Sequence, residues 1–314
     1  MNLEQPLISI IIPNYNHEKY LTKRLESIYN QTFQDFEVIL LDDASTDGSL
    51  EILNNYKSNP KSAHLIINKK NSGSTFKQWQ KGISLAKGKY IWIAESDDYC
   101  ELTFLEKMVG FANKKPSTGV LYCQTIDVDE KGNKIINRFD YTKEFEPNIW
   151  KSDFAIGGKE FVDNYLLIKN VIPNASAVLV KKEFVEKAFF SESLVSMKMC
   201  GDWFFWIQIT LQTNVLFLAE DLNYFRNHSE VSRNHPTLKI KRQRLIEEGV
   251  IRTFLLNNKL STSVTENNYY NKWFKLHRKL AILNTKFYKG KLEKTSVFTF
   301  LKQFLKFKLT KKWL

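Results

Sequence analysis

Apolar and polar residues alternate along the first half of the chain in blocks that predict strands and helices in turn. The runs Leu7 to Ile12, Phe36 to Leu41 and Tyr90 to Ala94 are almost wholly apolar, which is typical of strands buried on both faces of a sheet. Between these runs, Glu18 to Tyr29 and Thr75 to Ala86 carry apolar residues at helical spacing. This alternation predicts an α/β fold with a Rossmann-like, mostly parallel central sheet flanked by helices.

The pattern becomes less regular after Gly119. Further strands are predicted over His64 to Asn68, Val120 to Val128, Ala177 to Val180 and Val215 to Leu218, and further helices over Gly48 to Tyr56, Leu102 to Ala112, Lys159 to Ile168, Trp203 to Leu211 and Pro236 to Leu256. No internal repeat or low-complexity linker divides the 314 residues. We therefore expect one compact unit over residues 1–235 and a helical, basic C-terminal extension over residues 236–314.

Charge is concentrated at the C-terminus. The net charge is +12, and residues 271–314 hold 13 of the 46 lysines and arginines but only one of the 34 acidic residues, so the remainder is neutral. A neutral fold with a basic tail indicates contact with an anionic membrane surface, and no nucleic-acid partner is expected.

The end of this tail has an amphipathic pattern. Phe298, Leu301, Leu305 and Leu309 recur at positions i, i+3, i+7 and i+11, among lysines that extend to Lys311 and Lys312. This pattern is typical of a helix that lies in the plane of a membrane. The alternatives are an ordinary packing helix with a solvated lysine face, or a contact with nucleic acid.

The expected location follows from what the sequence lacks. The three cysteines are far apart and form no CxxC pair, so no disulfide framework is expected. The chain shows neither a secretory signal nor a run of about 18 apolar residues that could span a bilayer. We expect a cytoplasmic protein that is peripheral on the inner face of the cell membrane.

Two acidic clusters follow predicted strands. Glu95, Asp97 and Asp98 come directly after the fourth strand, and Asp42 and Asp43 end the second. Carboxylates this close repel one another, so we expect a cation among the first three. Mg²⁺ and Mn²⁺ prefer such oxygen ligands when they hold a diphosphate. Because nucleotides bind at the carboxyl ends of strands in α/β sheets, these clusters predict a nucleotide-handling crevice.

Seven short runs then carry a family likeness: Ile11–Asn16, Gln31–Phe33, Asp42–Gly48, Asn71–Gly73, Ala86–Tyr90, Glu95–Asp98 and Gly201–Trp203. Their order and spacing resemble those of the family-2 inverting glycosyltransferases, which have the GT-A fold. The likeness covers about residues 5–235. It implies a nucleotide-binding half over about residues 1–115 and an acceptor half over about residues 116–235.

The resemblance implies a site for a nucleotide-sugar donor, most often a UDP-sugar. Its predicted residues are Pro13, Tyr15, Asn16, Asp43, Asn71 and Asp97. Tyr15 can stack on a base, and Asp43 can accept the imide N–H of uracil, which cytosine does not offer. The alternative is that Asp42 or Asp43 caps the helix that follows.

The family's metal motif is Asp-x-Asp, and this chain has Glu95 at its first position. The resemblance implies Mn²⁺ or Mg²⁺ on Asp97 and Asp98, with Glu95 reaching the metal through water or contacting the sugar instead. Arg226 and His228 are further candidates for contacting the diphosphate. The alternative is a solvated acidic turn before a helix.

Asp202 occupies the position at which the family has its general base, at the start of an aromatic helix. Many members have Glu-Asp there, whereas this chain has Gly201 before the aspartate. A sugar hydroxyl is a poor nucleophile, so a positioned carboxylate that takes its proton accelerates the attack. The alternative role for Asp202 is a helix cap.

Together these residues predict an inverting transfer of a hexose or N-acetylhexosamine. The acceptor is expected to be a saccharide or a lipid-linked molecule of cell-surface polysaccharide synthesis. One alternative is an inactive scaffold subunit that binds a nucleotide-sugar without turnover. The other is a metal-dependent nucleotidyltransferase, but that class would need a glycine-rich basic loop where Asn14 to His17 stand.

Overall fold

The computed structural model describes residues 5–172, 174–186, 190–228 and 237–310. Within these ranges the strands are β1 (Ile8–Asn14), β2 (Phe36–Asp42), β3 (Ser62–Ile67), β4 (Tyr90–Ile93), β5 (Tyr99–Cys100), β6 (Thr118–Val128), β7 (Lys134–Asn137), β8 (Phe154–Ile156), β9 (Val178–Lys181) and β10 (Asn214–Arg226). The helices are α1 (Glu18–Tyr29), α2 (Ser49–Tyr56), α3 (Thr75–Leu85), α4 (Phe104–Asn113), α5 (Gly158–Phe161), α6 (Lys182–Glu186), α7 (Glu192–Ser196), α8 (Gly201–Thr210), α9 (Leu238–Asn257), α10 (Ser263–Lys275) and α11 (Val297–Thr310).

The strands form one sheet in the order β3-β2-β1-β4-β9-β6-β10-β5, with β7 paired to β6 and β8 paired to β10. The first four are parallel, as the alternation of strands and helices predicts. The whole sheet is more mixed than that prediction, because β9 lies antiparallel between β4 and β6. Because β9 is antiparallel to both β4 and β6, these two strands are parallel to each other. Strand β10 is parallel to β6, so β4, β6 and β10 all run in the same direction as β1.

The sheet separates two hydrophobic clusters. Alternate residues of one strand point to opposite faces, so Ile11 belongs to the cluster with α3 and α8, whereas Ile10 belongs to the cluster with α1 and α4. The α/β architecture with helices on both faces is therefore as predicted. The first of these clusters also contains Ile251 and Leu255 of α9, both fully buried, so the start of the C-terminal extension shares the main core.

The rest of the extension has a small core of its own. Tyr270, Trp273 and Phe274 of α10 pack against Phe300 and Phe304 of α11 in a separate aromatic cluster. The predicted boundary at residues 235 and 236, and the start of the predicted helix at Pro236, lie outside the described residues, as do Lys311 and Lys312. The division into domains stays a prediction.

Helix α11 carries a second apolar stripe that faces solvent. Phe300 and Phe304 are fully buried, whereas Phe298, Leu305 and Leu309 are 77%, 50% and 63% exposed. The structure thus provides both features that the sequence offered as alternatives, a packing face and an exposed apolar face. Of the helices in the described ranges, none has the length and apolar character needed to cross a bilayer.

Candidate active site

A crevice at one edge of the sheet collects most of the predicted site residues. Strands β1, β2, β4 and β10 run in the same direction, so their carboxyl ends meet at this edge. The chain segments that leave those ends carry His17, Asp43, Asp97 and His228. Side chains that are far apart in sequence thereby share one site, which is the usual arrangement in open α/β sheets.

Asp97 lies in a group with two histidines. His228 Nε2 is 3.0 Å from Asp97 Oδ2, and one ligand atom from each of His17, Asp97 and His228 lies within 4.8 Å of the others. Ligands that share one divalent ion at roughly 2.0–2.2 Å are at most about 4.4 Å apart, so a small movement suffices to close this group around a metal. His17 Nδ1 is 2.8 Å from Ser96 Oγ, which orients its ring.

The histidines also keep Asp97 ionised. Burial acts to raise the pKa of Asp97, but the hydrogen bond with His228 and the charges of His17 and His228 together lower it. A carboxylate with a lowered pKa is present as the anion at neutral pH, which is the form that binds a cation.

Asp98 has a different environment from Asp97. Asp98 is fully buried. Its carboxylate oxygens accept hydrogen bonds from the Asn174 amide, the Ser176 hydroxyl and the Arg226 backbone N–H at 3.1, 2.7 and 2.9 Å. Burial and the Asp97 charge raise the pKa of Asp98 to about 6. Interior donors occupy both oxygens of Asp98, and the structure does not place this residue in the group of Asp97 and the two histidines; its predicted role as a metal ligand stays a prediction.

Glu95, at the first motif position, is held by a tryptophan of α3. Trp79 Nε1 donates to Glu95 Oε1 at 2.8 Å, and Trp79 itself is a buried residue of the core. Burial and the Asp97 charge raise the pKa of Glu95 to about 8. With no cation bound, this carboxyl group therefore holds its proton more tightly than an ordinary glutamate does.

Arg226 supports the turn that carries these acids. Its Nε donates to the Asp97 carbonyl oxygen at 2.8 Å, and its Nη1 donates to the carbonyl oxygens of Asp129 and Glu130. Its guanidinium also lies 4.7 Å from the centre of the Tyr20 ring. Only 3% of Arg226 is exposed. The contacts described here thus hold Arg226 against the backbone of the acidic turn and the ring of Tyr20.

A fully buried cation lies beneath the acidic turn. The Arg24 guanidinium is 5.0 Å from the centre of the Trp92 ring, and none of its three nitrogens has a hydrogen-bond partner among the described residues. Its charge lowers the pKa of both Glu95 and Asp98 against the effect of burial. The acidic turn is thus partly neutralised from inside the fold.

The ends of β1 and β2 form the other side of the crevice. Pro13 is buried, whereas Tyr15 is 44% exposed and free to stack on a planar ligand. Asn16 has a positive φ of 54°, and its Oδ1 accepts from the Thr46 backbone, which ties the two strand ends together. Asn71 Nδ2 donates to the Asp43 carbonyl oxygen at 3.1 Å.

The Asp43 carboxylate already accepts several hydrogen bonds from the segment between β3 and α3 and from α3 itself. Its Oδ1 accepts hydrogen bonds from the Asn68 amide, the Ser72 backbone and the Gln78 amide, and its Oδ2 accepts one from the Ser72 hydroxyl. It does not cap α2, since the backbone N–H of Ser49 bonds to Asp47 instead. A base that binds here would find Oδ2 as the less occupied acceptor.

Asp202 lies in the first turn of α8. Its Oδ1 accepts from the Trp203 backbone N–H at 2.8 Å, and its Oδ2 accepts from the Asn170 amide at 2.9 Å. Burial raises the pKa of Asp202 to about 6, although these hydrogen bonds and the Arg244 charge act to lower it. The group is therefore a stronger base than an ordinary aspartate, yet it is still mostly ionised at neutral pH.

The glycine before Asp202 has a steric reason. A Cβ on Gly201 would come within 2.3 Å of the Phe76 ring on α3, so the start of α8 approaches α3 more closely than any other residue allows. Trp79 of α3 in turn packs against Phe205 of α8, with ring centres 5.3 Å apart. Glycine therefore stands where many family members have glutamate because α8 packs closely against α3. Helix α3 carries Trp79, the hydrogen-bond partner of Glu95, so this packing connects Asp202 with the Glu95 side of the crevice.

Sequence reasoning did not assign a role to three residues that the structure places at the site. His17 follows the Asn14 to Asn16 run directly, so its position was a usable signal for a metal ligand. Asn170 and Arg24 gave no such signal, because their partners come from distant parts of the chain.

Comparisons with known proteins bear on this site. The sequence model of the family described as Glycosyl transferase family 2 matches residues 9–187. An uncharacterized glycosyltransferase of Methanocaldococcus jannaschii, MJ1057, is 28% identical over 259 residues, which are 82% of this chain and 82% of that protein. The poly(ribitol-phosphate) beta-glucosyltransferase of Bacillus spizizenii is 40% identical over 112 residues, which are 35% of this chain and 18% of that protein.

A solved structure shares the fold. The crystal structure of S. aureus TarS 1-349 in complex with UDP-GlcNAc superposes with a TM-score of 0.60 at 22% identity, and the match covers 88% of this chain and 76% of that one. At this identity the likeness shows a common architecture. It confirms the predicted α/β fold class.

Proposed function

The chain belongs to glycosyl transferase family 2, and we propose that this enzyme moves a sugar, with inversion, from a UDP-sugar to an acceptor hydroxyl. The observation that carries the proposal is Asp202, a carboxylate whose pKa is raised to about 6 by burial and whose two oxygens are each fixed by a hydrogen bond. Such a group is ionised at neutral pH and strong enough to take a proton from a sugar hydroxyl as the new bond forms.

The donor is proposed to lie along the ends of β1, β2 and β4. Tyr15 offers a stacking surface for the base, and Asp43 Oδ2 offers an acceptor for the uracil imide. Glu95, whose carboxylate accepts a hydrogen bond from the Trp79 indole, is proposed to contact the sugar. The complex of TarS with UDP-GlcNAc is consistent with a donor of this class.

A divalent metal is proposed on Asp97, with His17 and His228 as further ligands. Mg²⁺ takes oxygen ligands in a strict octahedron, so two imidazoles beside one carboxylate suit it poorly, and of the two expected ions we propose Mn²⁺. When bound, the ion would neutralise the charge that develops on the departing diphosphate. The chain's own part is to supply these three side chains and to hold the turn that carries Asp97 through Arg226.

The acceptor is proposed to be a saccharide or lipid-linked intermediate of cell-surface polysaccharide synthesis. One support is the relative named as a poly(ribitol-phosphate) beta-glucosyltransferase. The other is α11, where Lys302 and Lys306 are exposed beside the apolar stripe of Phe298, Leu305 and Leu309. Each basic residue near an anionic leaflet contributes about 1 kcal/mol, so this face would hold the enzyme where lipid-linked acceptors are found.

Release of UDP tests the proposal. The purified protein is incubated with a panel of UDP-sugars and a cell-envelope lipid extract, with Mn²⁺, with Mg²⁺ and with EDTA. We expect metal-dependent release from one donor, which is lost in Asp97→Ala and Asp202→Asn but not in Asp221→Asn, an exposed aspartate of β10. Tight UDP binding without release under every condition would favour the scaffold alternative.

Sedimentation with vesicles tests the membrane surface separately. We expect the full chain to sediment with vesicles that contain phosphatidylserine at low salt, and Phe298→Ser with Leu305→Ser to abolish this. Val264→Ser is the matched control, because Val264 is 65% exposed on α10, away from the stripe. Failure of the unmodified chain to sediment would exclude the membrane role without affecting the assignment of Asp202.

A further inference from the structure

Helix α9, which lies beyond the part of the chain matched by the family, makes unusual contacts with the backbone before Asp202. Glu247 is 4% exposed, and its carboxylate accepts hydrogen bonds from three consecutive backbone N–H groups, those of Lys198, Met199 and Cys200, at 3.1, 2.9 and 3.0 Å. These residues lead directly into α8. A buried carboxylate that binds three amides fixes both the position and the direction of the segment.

The next turn of α9 holds the segment that carries Asn170, the partner of Asp202. Arg252 donates to the carbonyl oxygens of Leu167 and Ile168, just before Asn170, whose amide donates to Asp202. Arg252 is 3% exposed and is itself held by Glu248, with Nη2 to Oε1 at 2.9 Å.

Glu248 links Arg252 to two further cations, Arg244 and Lys272. It is fully buried, and Arg244 donates to its Oε2 at 3.1 Å while Lys272 of α10 lies 3.4 Å from its Oε1. Burial opposes ionisation, but the charges of Arg252, Lys272 and Arg244 lower the pKa of Glu248 below its usual range. The network is thus charged and rigid, since breaking a buried pair leaves an uncompensated charge.

We infer that α9 positions the proposed general base: Glu247 fixes the segment that leads into Asp202, and Arg252 fixes the segment that carries its partner Asn170. This inference rests on the proposed function, because it assigns Asp202 its role. It gives the start of the C-terminal extension a part in the reaction that is separate from any membrane contact. Misplacement of a reacting group by about 1 Å costs on the order of 100-fold in rate, so such support matters for turnover.

The test is Glu247→Gln in the full chain. Glutamine keeps the size of the side chain, but its NH₂ group faces backbone donors and cannot accept from them. We expect kcat to fall about 10-fold or more, with the dissociation constant for UDP within about twofold of the unsubstituted protein. The matched control is Glu293→Gln, the same change at an exposed residue of the same extension, which should alter neither value.

Amide hydrogen exchange gives a readout that does not depend on activity. Peptides that contain residues 198–203 should exchange faster in Glu247→Gln than in Glu293→Gln. Arg252→Lys, which retains the charge opposite Glu248 but cannot reach both carbonyl oxygens, should show the same fall in kcat with unchanged UDP binding. If Glu247→Gln does not fold, Arg252→Lys still tests the inference.

Three outcomes would overturn the inference, of which the first two are these. One is unchanged exchange over residues 198–203 in folded Glu247→Gln, and the other is a kcat equal to that of the control. A fall in kcat matched by an equal loss of UDP binding would also overturn it, because that pattern indicates general damage. Absence of UDP release by the unsubstituted protein would instead refute the proposed function, and the exchange result would still decide whether α9 holds this segment.

Discussion

Replacing Asn170 by alanine tests whether ionisation of Asp202 governs the reaction. The Asn170 amide donates to Asp202 Oδ2 at 2.9 Å, and this bond stabilises the carboxylate. Burial raises the pKa of Asp202 to about 6 in spite of this bond and of the one from the Trp203 backbone. Removing the donor leaves the burial and takes away part of what opposes it, so the pKa rises further.

The size of the effect follows from the bond. A hydrogen bond to a charged group contributes about 1.5–3 kcal/mol, and one pKa unit corresponds to about 1.4 kcal/mol. Asn170 and Asp202 are only partly buried, so water replaces some of the lost bond and about one unit is the expected shift. The ionised fraction of Asp202 at pH 7 then falls from about nine-tenths to about one-half.

The assay is kcat/KM against pH from about pH 5 to about pH 9, with saturating metal. We expect the acid limb to move from near pH 6 to near pH 7 and the rates to converge at high pH. Asn164→Ala is the control, because Asn164 is an exposed asparagine in the same part of the chain. An acid limb at the same pH in both variants, with both folded, would refute the role of Asp202 as the base.

Three further predictions concern neighbouring residues. Asp202→Asn abolishes turnover and raises the free energy of unfolding at pH 7 by about 1–3 kcal/mol in chemical denaturation. The reason is that a carboxyl group whose pKa is raised to about 6 destabilises the folded state above that pH. This destabilisation is absent below about pH 4, so the two proteins should be equally stable there. His228→Ala weakens Mn²⁺ binding at least about 10-fold by calorimetry, whereas His64→Ala on β3 leaves it unchanged; equal affinities would exclude His228 as a ligand. Gly201→Ala lowers the free energy of unfolding by about 1–3 kcal/mol, because the added Cβ meets Phe76. The control Gly110→Ala raises the same quantity by up to about 1 kcal/mol, because the space around this helical glycine is open. A stabilised Gly201→Ala would contradict the packing argument.

The order of strands and helices in the first half of the chain was readable from sequence because local periodicity controls it. The predicted helix Glu18 to Tyr29 has the observed bounds, and the strand from Phe36 extends one residue further than predicted. The α/β class is confirmed for the same reason. The antiparallel insertion of β9 between β4 and β6 was not readable, because strand partners are chosen by long-range packing and not by the pattern within a strand.

The same division applies to the site. The motif runs located the acidic turn and Asp202, since residue types and spacing along the chain carry that information. They did not separate Asp97 from its neighbour Asp98, which has the same chemistry. The turn that follows β4 directs the two side chains differently, so Asp97 lies near His17 and His228 while Asp98 accepts bonds from the interior.

By itself, the sequence determined the types of element, the chemistry available at the strand ends and the position of the charge excess. Tertiary structure decided which of those groups meet: the two histidines at Asp97, the amide of Asn170 at Asp202, and the contacts of α9 with the segment that leads into α8. These pairings join residues separated by tens to more than a hundred positions. They depend on how the sheet orders its strands. Burial and the charges of distant neighbours then shift the pKa of each of these carboxyl groups, and neither is a property of a local stretch of chain.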